Sequence, residues 1–343
     1  MSTRSEETAH AFWSERRVLV TGGTGLVGSW LVKELLDAGS QVTVLIKDAD
    51  PQSELVRSGA MGRVSVVNGA LEDFFTLEHT LNLHEPEAVF HLGAQTQVTA
   101  AYRSPLATFE ANVRGTYNLL EGCRQHRDLV GRIVVASTDK AYGAQPVLPY
   151  TEEMRLDGIG NPYDASKVCT DILAQNYARA YGLPIAITRF GNVYGGGDLN
   201  WNRIVPGAIR SGLQNERLIL RSDGTFTRDY IYVRDVARAY MLLAERLDDT
   251  GVRGEAFNFS TESPVSVLAL LGRIQEMMGC THLAPDVRNT AQAEIKHQYL
   301  SAEKARTRLG WSPAYSLEQG LRETIAWYEG FLNERPPSLL LVA

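Results

Sequence analysis

From Arg17 onward, short apolar runs alternate with longer stretches in which apolar residues recur every three or four positions. The short runs suit buried strands and the longer stretches suit amphipathic helices, so their alternation predicts successive βαβ units around a parallel sheet. RVLVT, starting at Arg17, opens the series. A helix is expected over Ser29 to Ala38, stopped at Gly39, followed by QVTVLI as a second strand. RVSVV, EAVFHL, RIVVAS and LPIAITR supply further strands. Helices are expected from Pro105 to Arg127 and from Pro162 to Tyr181, each opening on a proline whose fixed φ suits a first helical turn.

Beyond Gly195 the alternation loosens into the turn-rich GGGDLNW and the polar RSDGTFTRD, with helices expected near Val233 to Arg246, Val265 to Met278 and Ser316 to Asn333. The expected class is therefore α/β. A doubly wound parallel sheet over residues 1–190 precedes a smaller α/β lobe over 191–343, some of whose segments return to the first domain. No internal repeat or low-complexity linker separates the two, so they should share an interface and frame a cleft.

A chain of 343 residues, 44% hydrophobic and 22% charged, has the composition of a globular protein with a sizeable core. Its formal charge of -6, from 34 basic and 40 acidic side chains, comes without a long run of either sign. That argues against a nucleic-acid track, so any phosphate recognition must be local. Cys123, Cys169 and Cys280 are odd in number and far apart, which speaks against a disulfide framework or a clustered metal site and for a reducing, cytoplasmic setting. The polar start MSTRSEETAHAFWSERR lacks the apolar centre of a secretory signal, and no stretch, the terminal SLLLVA included, is long enough to span a bilayer. A soluble protein is expected.

After the first strand comes TGGTGLVG, with Gly22, Gly25 and Gly28 spaced three apart before a helix. The glycines permit a tight turn, close backbone approach to a pyrophosphate, and close helix-to-strand packing, while the helix N-terminus offers N–H donors. This is the loop of a Rossmann-type dinucleotide site. Downstream, YDASK places Tyr163 and Lys167 one helical turn apart on one face. A phenolate there could remove a hydroxyl proton while hydride leaves the same carbon, with a nearby ammonium lowering the phenol's pKa. With 14 tyrosines, that spacing arises by chance in roughly one chain in four, so its company carries the weight. The company is STDKAYG, at the end of the RIVVAS strand, which puts Thr138, Asp139 and Lys140 at the carboxyl edge of the sheet, where α/β proteins bind ligands.

These motifs resemble those of the extended short-chain dehydrogenase/reductases, specifically the NDP-sugar 4,6-dehydratases and epimerases, over nearly the whole chain. The resemblance implies a tightly bound NAD, with NADP as the alternative, held by Gly22, Thr24, Gly25, Leu26, Val27, Gly28, Leu71, Leu92, Ala94 and Gln95 together with Tyr163 and Lys167. HLGAQ (His91 to Gln95) is similar to the family's segment along the cofactor's diphosphate, and Asn112 matches its structural asparagine. Two departures stand out. Where the family places an acidic residue for the adenosine ribose, this chain has Ile46, then Lys47 and Asp48; Asp48 would favour NAD and Lys47 NADP. Ala70, in NGALED, replaces the aspartate usual beside the adenine.

The same resemblance makes Tyr163 the base at the sugar's 4-hydroxyl, Thr138 its orienting partner, and Lys167 the group that tunes the phenol. Asp139 and Lys140 then separate the chemistries. Simple 4-epimerases usually carry small or uncharged residues there. A 4,6-dehydratase needs one side chain to take the acidified C5 proton and another to protonate the departing 6-hydroxyl. The Thr-Asp-Lys order resembles CDP-glucose 4,6-dehydratases, and STDKA is similar to UDP-N-acetylglucosamine dehydratases. A lysine base must be neutral part of the time, which requires desolvation or a nearby positive charge.

For the nucleotide sugar, the resemblance implies contacts from Gln95, Thr138, Asn192, Arg203 and Arg228, with Asp229 positioning Arg228 and His297 approaching the nucleotide. It further implies a homodimer joined by the helices near 105–127 and 162–181. The leading expectation is an NDP-sugar 4,6-dehydratase. An epimerase sharing the oxidation step is the alternative, and a non-catalytic nicotinamide sensor is a third.

Overall fold

A computed structural model describes residues 10–48, 50–290 and 295–333. The polar first nine residues, Glu294 at the start of the EIKHQYL segment, and the terminal SLLLVA lie outside them.

Six strands in the first half, β1 (Arg17–Thr21), β2 (Gln41–Ile46), β3 (Ser65–Asn68), β4 (Ala88–His91), β5 (Arg132–Ala136) and β6 (Ile185–Phe190), join a seven-stranded parallel sheet. Short strands follow: β7 (Asn192–Tyr194), β8 (Ile219–Leu220), β9 (Thr227–Arg228), β10 (Tyr230–Tyr232), then β11 (Ala256–Phe259) and β12 (Val265–Ser266), with β13 (Asp286–Val287) and β14 (His297–Gln298). The large sheet runs β3-β2-β1-β4-β5-β6-β11, every pair parallel. This is the Rossmann order, and it reverses direction between β1 and β4, where a crevice opens beyond the strand ends.

The central strands are apolar nearly throughout because helices cover both faces. On one face, Leu31, Val32 and Leu35 of helix Leu26–Asp37 join Val236, Tyr240 and Leu243 of helix Val233–Glu245. On the other, Leu77 and Leu81 of helix Phe74–His84 pack with Leu119, Leu120 and Cys123 of helix Gly115–Gln125 and Ala174 of helix Pro162–Tyr181. Each fully buried leucine or valine contributes about 1.5–3 kcal/mol.

A further core, built on Tyr194, Ile209, Tyr230, Tyr232, Leu270, Ile274, Leu321 and Tyr328, belongs to the second half. Here β7 pairs with β10, β9 lies between β12 and β14, and β8 pairs with β13. The chain does not stay in this lobe: β11 adds beside β6 in the large sheet, and helix Val233–Glu245 packs against helix Leu26–Asp37.

Two features differ from the sequence expectation. The helix expected from Pro105 to Arg127 is three pieces, Pro105–Phe109, a π-helical turn at Glu110–Arg114, and Gly115–Gln125. The wide turn carries Asn112, whose side chain accepts from the Gln95 N–H (2.7 Å) and donates to the Gln95 carbonyl (3.0 Å) and Ser166 Oγ (2.8 Å), tying the loop after β4 to helix Pro162–Tyr181. Helices Phe74–His84 and Ile204–Leu213 were not foreseen. The first is started by Asp73, whose carboxylate accepts from the N–H groups of Phe75 and Thr76, and the second carries Pro206 in its first turn, where no intrahelical N–H is needed.

Candidate active site

The loop after β1 turns at Gly22, whose φ of +74° is left-handed; a Cβ there would lie 2.7 Å from the backbone nitrogen of Gly93, in the loop after β4. The two loops thus touch at the point where the sheet order reverses. A Cβ on Gly28 would lie 2.1 Å from the Gly22 carbonyl oxygen, so only glycine lets the helix start this close to the strand. Gly25 caps helix Leu26–Asp37 without a side chain, leaving its first N–H groups toward the crevice.

That crevice is a cavity of about 820 Å³, within the usual size range of cofactor pockets. Gly22, Thr24, Gly25, Leu26, Val27, Gly28, Leu92 and Ala94 line it at this end. The loop therefore fits a pyrophosphate lying across a helix N-terminus. Lys47, Asp48, Leu71 and Gln95 are not in the cavity wall. Lys47 is exposed and pairs with Glu72 at 2.9 Å, and Asp50 instead of Asp48 reaches the wall. Leu71 packs where Cβ atoms on Gly93 and Gly115 would be, so it spaces the loops apart from behind. Gln95 is held through its backbone by Asn112, and its side-chain oxygen accepts from Gln97 N–H.

Thr138, Asp139, Lys140, Tyr163 and Lys167 all line the same cavity. Thr138 caps a short 3₁₀ turn, Asp139–Tyr142, by accepting from the Lys140 N–H, and its hydroxyl donates to Asp139 Oδ1 at 3.1 Å. Burial pushes the Asp139 carboxyl up to about 6, against the opposing pull of Lys140, Thr138 and Arg228 and with a contribution from Asp164. A carboxyl whose pKa is raised toward neutrality can serve as a general acid.

Tyr163 and Lys167 stand one turn apart on helix Pro162–Tyr181. The Lys167 ammonium donates to the Ala136 carbonyl at the end of β5, and burial pulls its pKa down to about 8, against Asp171. Burial also raises the Tyr163 phenol, outweighing Arg203 and the hydrogen bond with Thr138. In the protein alone desolvation outweighs the nearby positive groups, of which Arg203 has the largest influence on the phenol. His91, buried beneath the loops, bridges Thr21 Oγ1 (2.9 Å) and Thr116 Oγ1 (3.0 Å), with its pKa depressed to about 3 by burial.

The second half closes the cavity from the other side. Asn192 and Arg203 line it, with Arg203 paired to the buried Asp198 at 3.0 Å. Arg228 does not line it; its guanidinium donates to the carbonyls of Thr227, Ile295 and Lys296. Nor does Asp229 position Arg228 as expected, because its carboxylate accepts from the hydroxyls of Ser260 and Thr261 and from the Thr261 N–H. His297 is exposed beside Thr227, 2.8 Å from its hydroxyl, and outside the wall. Sequence reasoning missed Asp50, Asn202 and Arg221, all in the wall, with Arg221 donating to Asn202 Oδ1 at 2.8 Å. Their only signal is polarity within turn-rich segments.

The sequence profile of the family described as GDP-mannose 4,6 dehydratase matches residues 19–324. The chain belongs to this family. Among relatives of this family member, the CDP-glucose 4,6-dehydratase of Salmonella typhimurium is 30% identical over 340 residues, covering 94% of this chain and 93% of its own. The structure of a UDP-glucose 4-epimerase with UDP-glucose from Thermotoga maritima is similar with a TM-score of 0.84 and 31% identity, covering 92% of this chain and 99% of that one. A dTDP-glucose 4,6-dehydratase from Streptomyces venezuelae with NAD and TYD bound gives 0.82 and 28%, covering 92% and 97%. The family thus joins both chemistries expected from the sequence on one Rossmann-type sheet.

Proposed function

We propose that the protein is an NAD-dependent NDP-sugar 4,6-dehydratase. One observation carries the choice of dehydration: Asp139, buried and proton-retaining up to about pH 6, stands with Lys140 beside Thr138 and Tyr163 in one cavity. An oxidation that is simply reversed needs no such pair. Tyr163 removes the 4-hydroxyl proton, oriented by Thr138, and Lys167, tethered to Ala136, fixes the helix face that carries the phenol. Bound NAD would take up the C4 hydride and return it at C6, and its positive ring would supply the stabilisation of a phenolate that burial here opposes. The 4-keto group acidifies C5, Lys140 takes that proton, and Asp139 gives its own to the 6-hydroxyl, which departs as water.

NAD is favoured over NADP because Glu72 already neutralises Lys47, while the Asp50 carboxylate in the wall suits free ribose hydroxyls and would repel a 2'-phosphate. Asn192, Arg203 and Arg221, all in the cavity wall, support binding of the substrate's diphosphate there. Leu106, Phe109, Tyr117 and Ile172, exposed apolar residues on the helices around 105–125 and 162–181, support a homodimer through those helices. Buried free thiols at Cys123 and Cys280 are in keeping with a reducing cytoplasm, and no described helix is long and apolar enough to cross a membrane.

The epimerase relatives keep a second reading open to the same experiment. UDP-, CDP-, GDP- and dTDP-glucose are each incubated with the holoenzyme and the product is weighed by mass spectrometry. A product lighter by one water supports dehydration; an isomer of unchanged mass overturns it in favour of epimerisation.

A further inference from the structure

Asp198 lies in the part of the cavity wall contributed by the second half, and no role falls to it in the reaction as described. A buried carboxylate in a wall that is to receive a diphosphate is a placement that like-charge repulsion disfavours. Its partners explain it. Oδ2 accepts from Arg203 Nη1 at 3.0 Å, and Oδ1 accepts from the Asn200 N–H at 3.1 Å. The two members of the ion pair differ in exposure: the Asp198 side chain is 5% exposed and that of Arg203 is 42%. The buried member holds, and the open one is presented to the cavity. This is the guanidinium's single hydrogen bond among the described residues, which leaves its other N–H groups for a ligand.

The backbone that carries Asp198 is fixed by other means. The Tyr328 hydroxyl donates to the Asp198 carbonyl at 2.6 Å, and the Trp30 indole donates to the Gly196 carbonyl at 2.8 Å. Gly196 lies so close to Trp327 that a Cβ would be 2.2 Å from its ring, and the Trp327 indole in turn donates to Glu54 Oε2 at 2.7 Å. At Gly197 the chain turns with a φ of +94°, which a side chain would strain. Helices Leu26–Asp37 and Leu317–Asn333 thus clamp this loop before the Asp198 carboxylate takes any part. What the carboxylate adds is the direction of Arg203. Arg221 is gripped in the same manner by Asn202 Oδ1 at 2.8 Å, so one loop presents two guanidiniums to the cavity.

We propose that Asp198 is a positioning residue for nucleotide binding, fixing the Arg203 guanidinium so that it meets the substrate's diphosphate already oriented. The inference deepens, and rests on, the reading that Arg203 binds that diphosphate. A half-exposed arginine samples many rotamers, and a bound anion has to freeze them; an ion pair formed beforehand removes most of that cost. The same carboxylate repels the phosphates, so its net effect is the orientation it gives less the repulsion it adds. A carboxylate acting only as a charge would weaken binding, and its removal would tighten it. One acting as a tether strengthens binding, and its removal loosens it. The two roles predict opposite signs.

The test measures binding of UDP, CDP, GDP and dTDP to the holoenzyme by titration calorimetry and follows the nucleotide that wild type binds most tightly. In Asp198→Ser the shorter hydroxyl still caps the Asn200 N–H but does not reach the guanidinium, and affinity should fall about tenfold. Asp198→Asn keeps an acceptor for Nη1 and should recover at least wild-type affinity. In an Arg203→Ala background, itself weaker than wild type, Asp198→Ser should cause no further loss, because no guanidinium is left to hold. A carboxylate serving only the loop would weaken binding by the same factor in both backgrounds. Equal losses of that kind, or unchanged or tighter binding in Asp198→Ser, overturn the proposal. Wild type gives a second readout that needs no variant at Asp198: NMR relaxation of the Arg203 Nε–H should show a side chain already ordered without nucleotide, and an order parameter below about 0.6 overturns the tether. If Arg203→Ala binds as wild type does, or wild type binds none of the four nucleotides, the diphosphate reading itself fails and takes the proposal with it, a result that these two controls tell apart from failure at Asp198.

Discussion

At the scale of single residues, the proposed elimination requires Asp139 to hold a proton where an exposed aspartate would not. Its raised pKa has two consequences of known sign. Dehydration measured as kcat/KM should fall as pH rises through about 6, because the acid form is then lost. The folded state also binds a proton more tightly than the unfolded chain, so this group's contribution to stability is present below about 3.8 and is lost as pH rises through about 6. Asp139→Asn should keep the oxidation of C4, seen as single-turnover reduction of bound cofactor, while slowing water loss by about a hundredfold or more. Equal loss of both steps would show that Asp139 holds the fold of the turn and does not serve elimination.

At the scale of elements, the turn Asp139–Tyr142 is kept in place by a buried network. Arg189 on β6 pairs bidentately with Asp171 on helix Pro162–Tyr181, at 2.8 and 2.9 Å, and donates to the Tyr142 hydroxyl at 2.7 Å. That hydroxyl donates to Asn258 Oδ1 on β11 at 2.8 Å. Asp171→Asn leaves the guanidinium buried without its counter-charge and should cost about 3–5 kcal/mol of stability in chemical denaturation; a loss below about 1 kcal/mol would mean the pair is replaceable. This network explains why legibility was uneven. STDKAYG and YDASK are local words, readable because each lies at a strand end or on one helix face. Strand β11, only AFNF between turn-rich segments, is recognisable only by what it pairs with. The π-helical turn at Glu110–Arg114 exists to aim Asn112 at Gln95 and Ser166, contacts of 17 and 54 residues' separation that no local period records. Asp50, Asn202 and Arg221 reach the cavity by the same long-range folding, and Arg228 and His297 miss its wall because neighbouring carbonyls and Thr227 engage them.

At the scale of the whole molecule, a large sheet and a second core close on one cavity, so both halves are needed for a site that oxidises, eliminates and returns hydride without release of the intermediate. The outer face of the helices around 105–125 and 162–181 exposes Leu106 at 72% and Ile172 at 55%, which in a homodimer would be covered. The double variant Leu106→Glu with Ile172→Glu should elute as a monomer in size-exclusion chromatography, whereas wild type should elute as a dimer; a monomeric wild type contradicts the proposed assembly. Removal of water from a nucleotide-linked hexose is read from the product mass after incubation of the holoenzyme with the four nucleotide glucoses: one product should be lighter than its substrate by a water, and an isomer of equal mass contradicts dehydration.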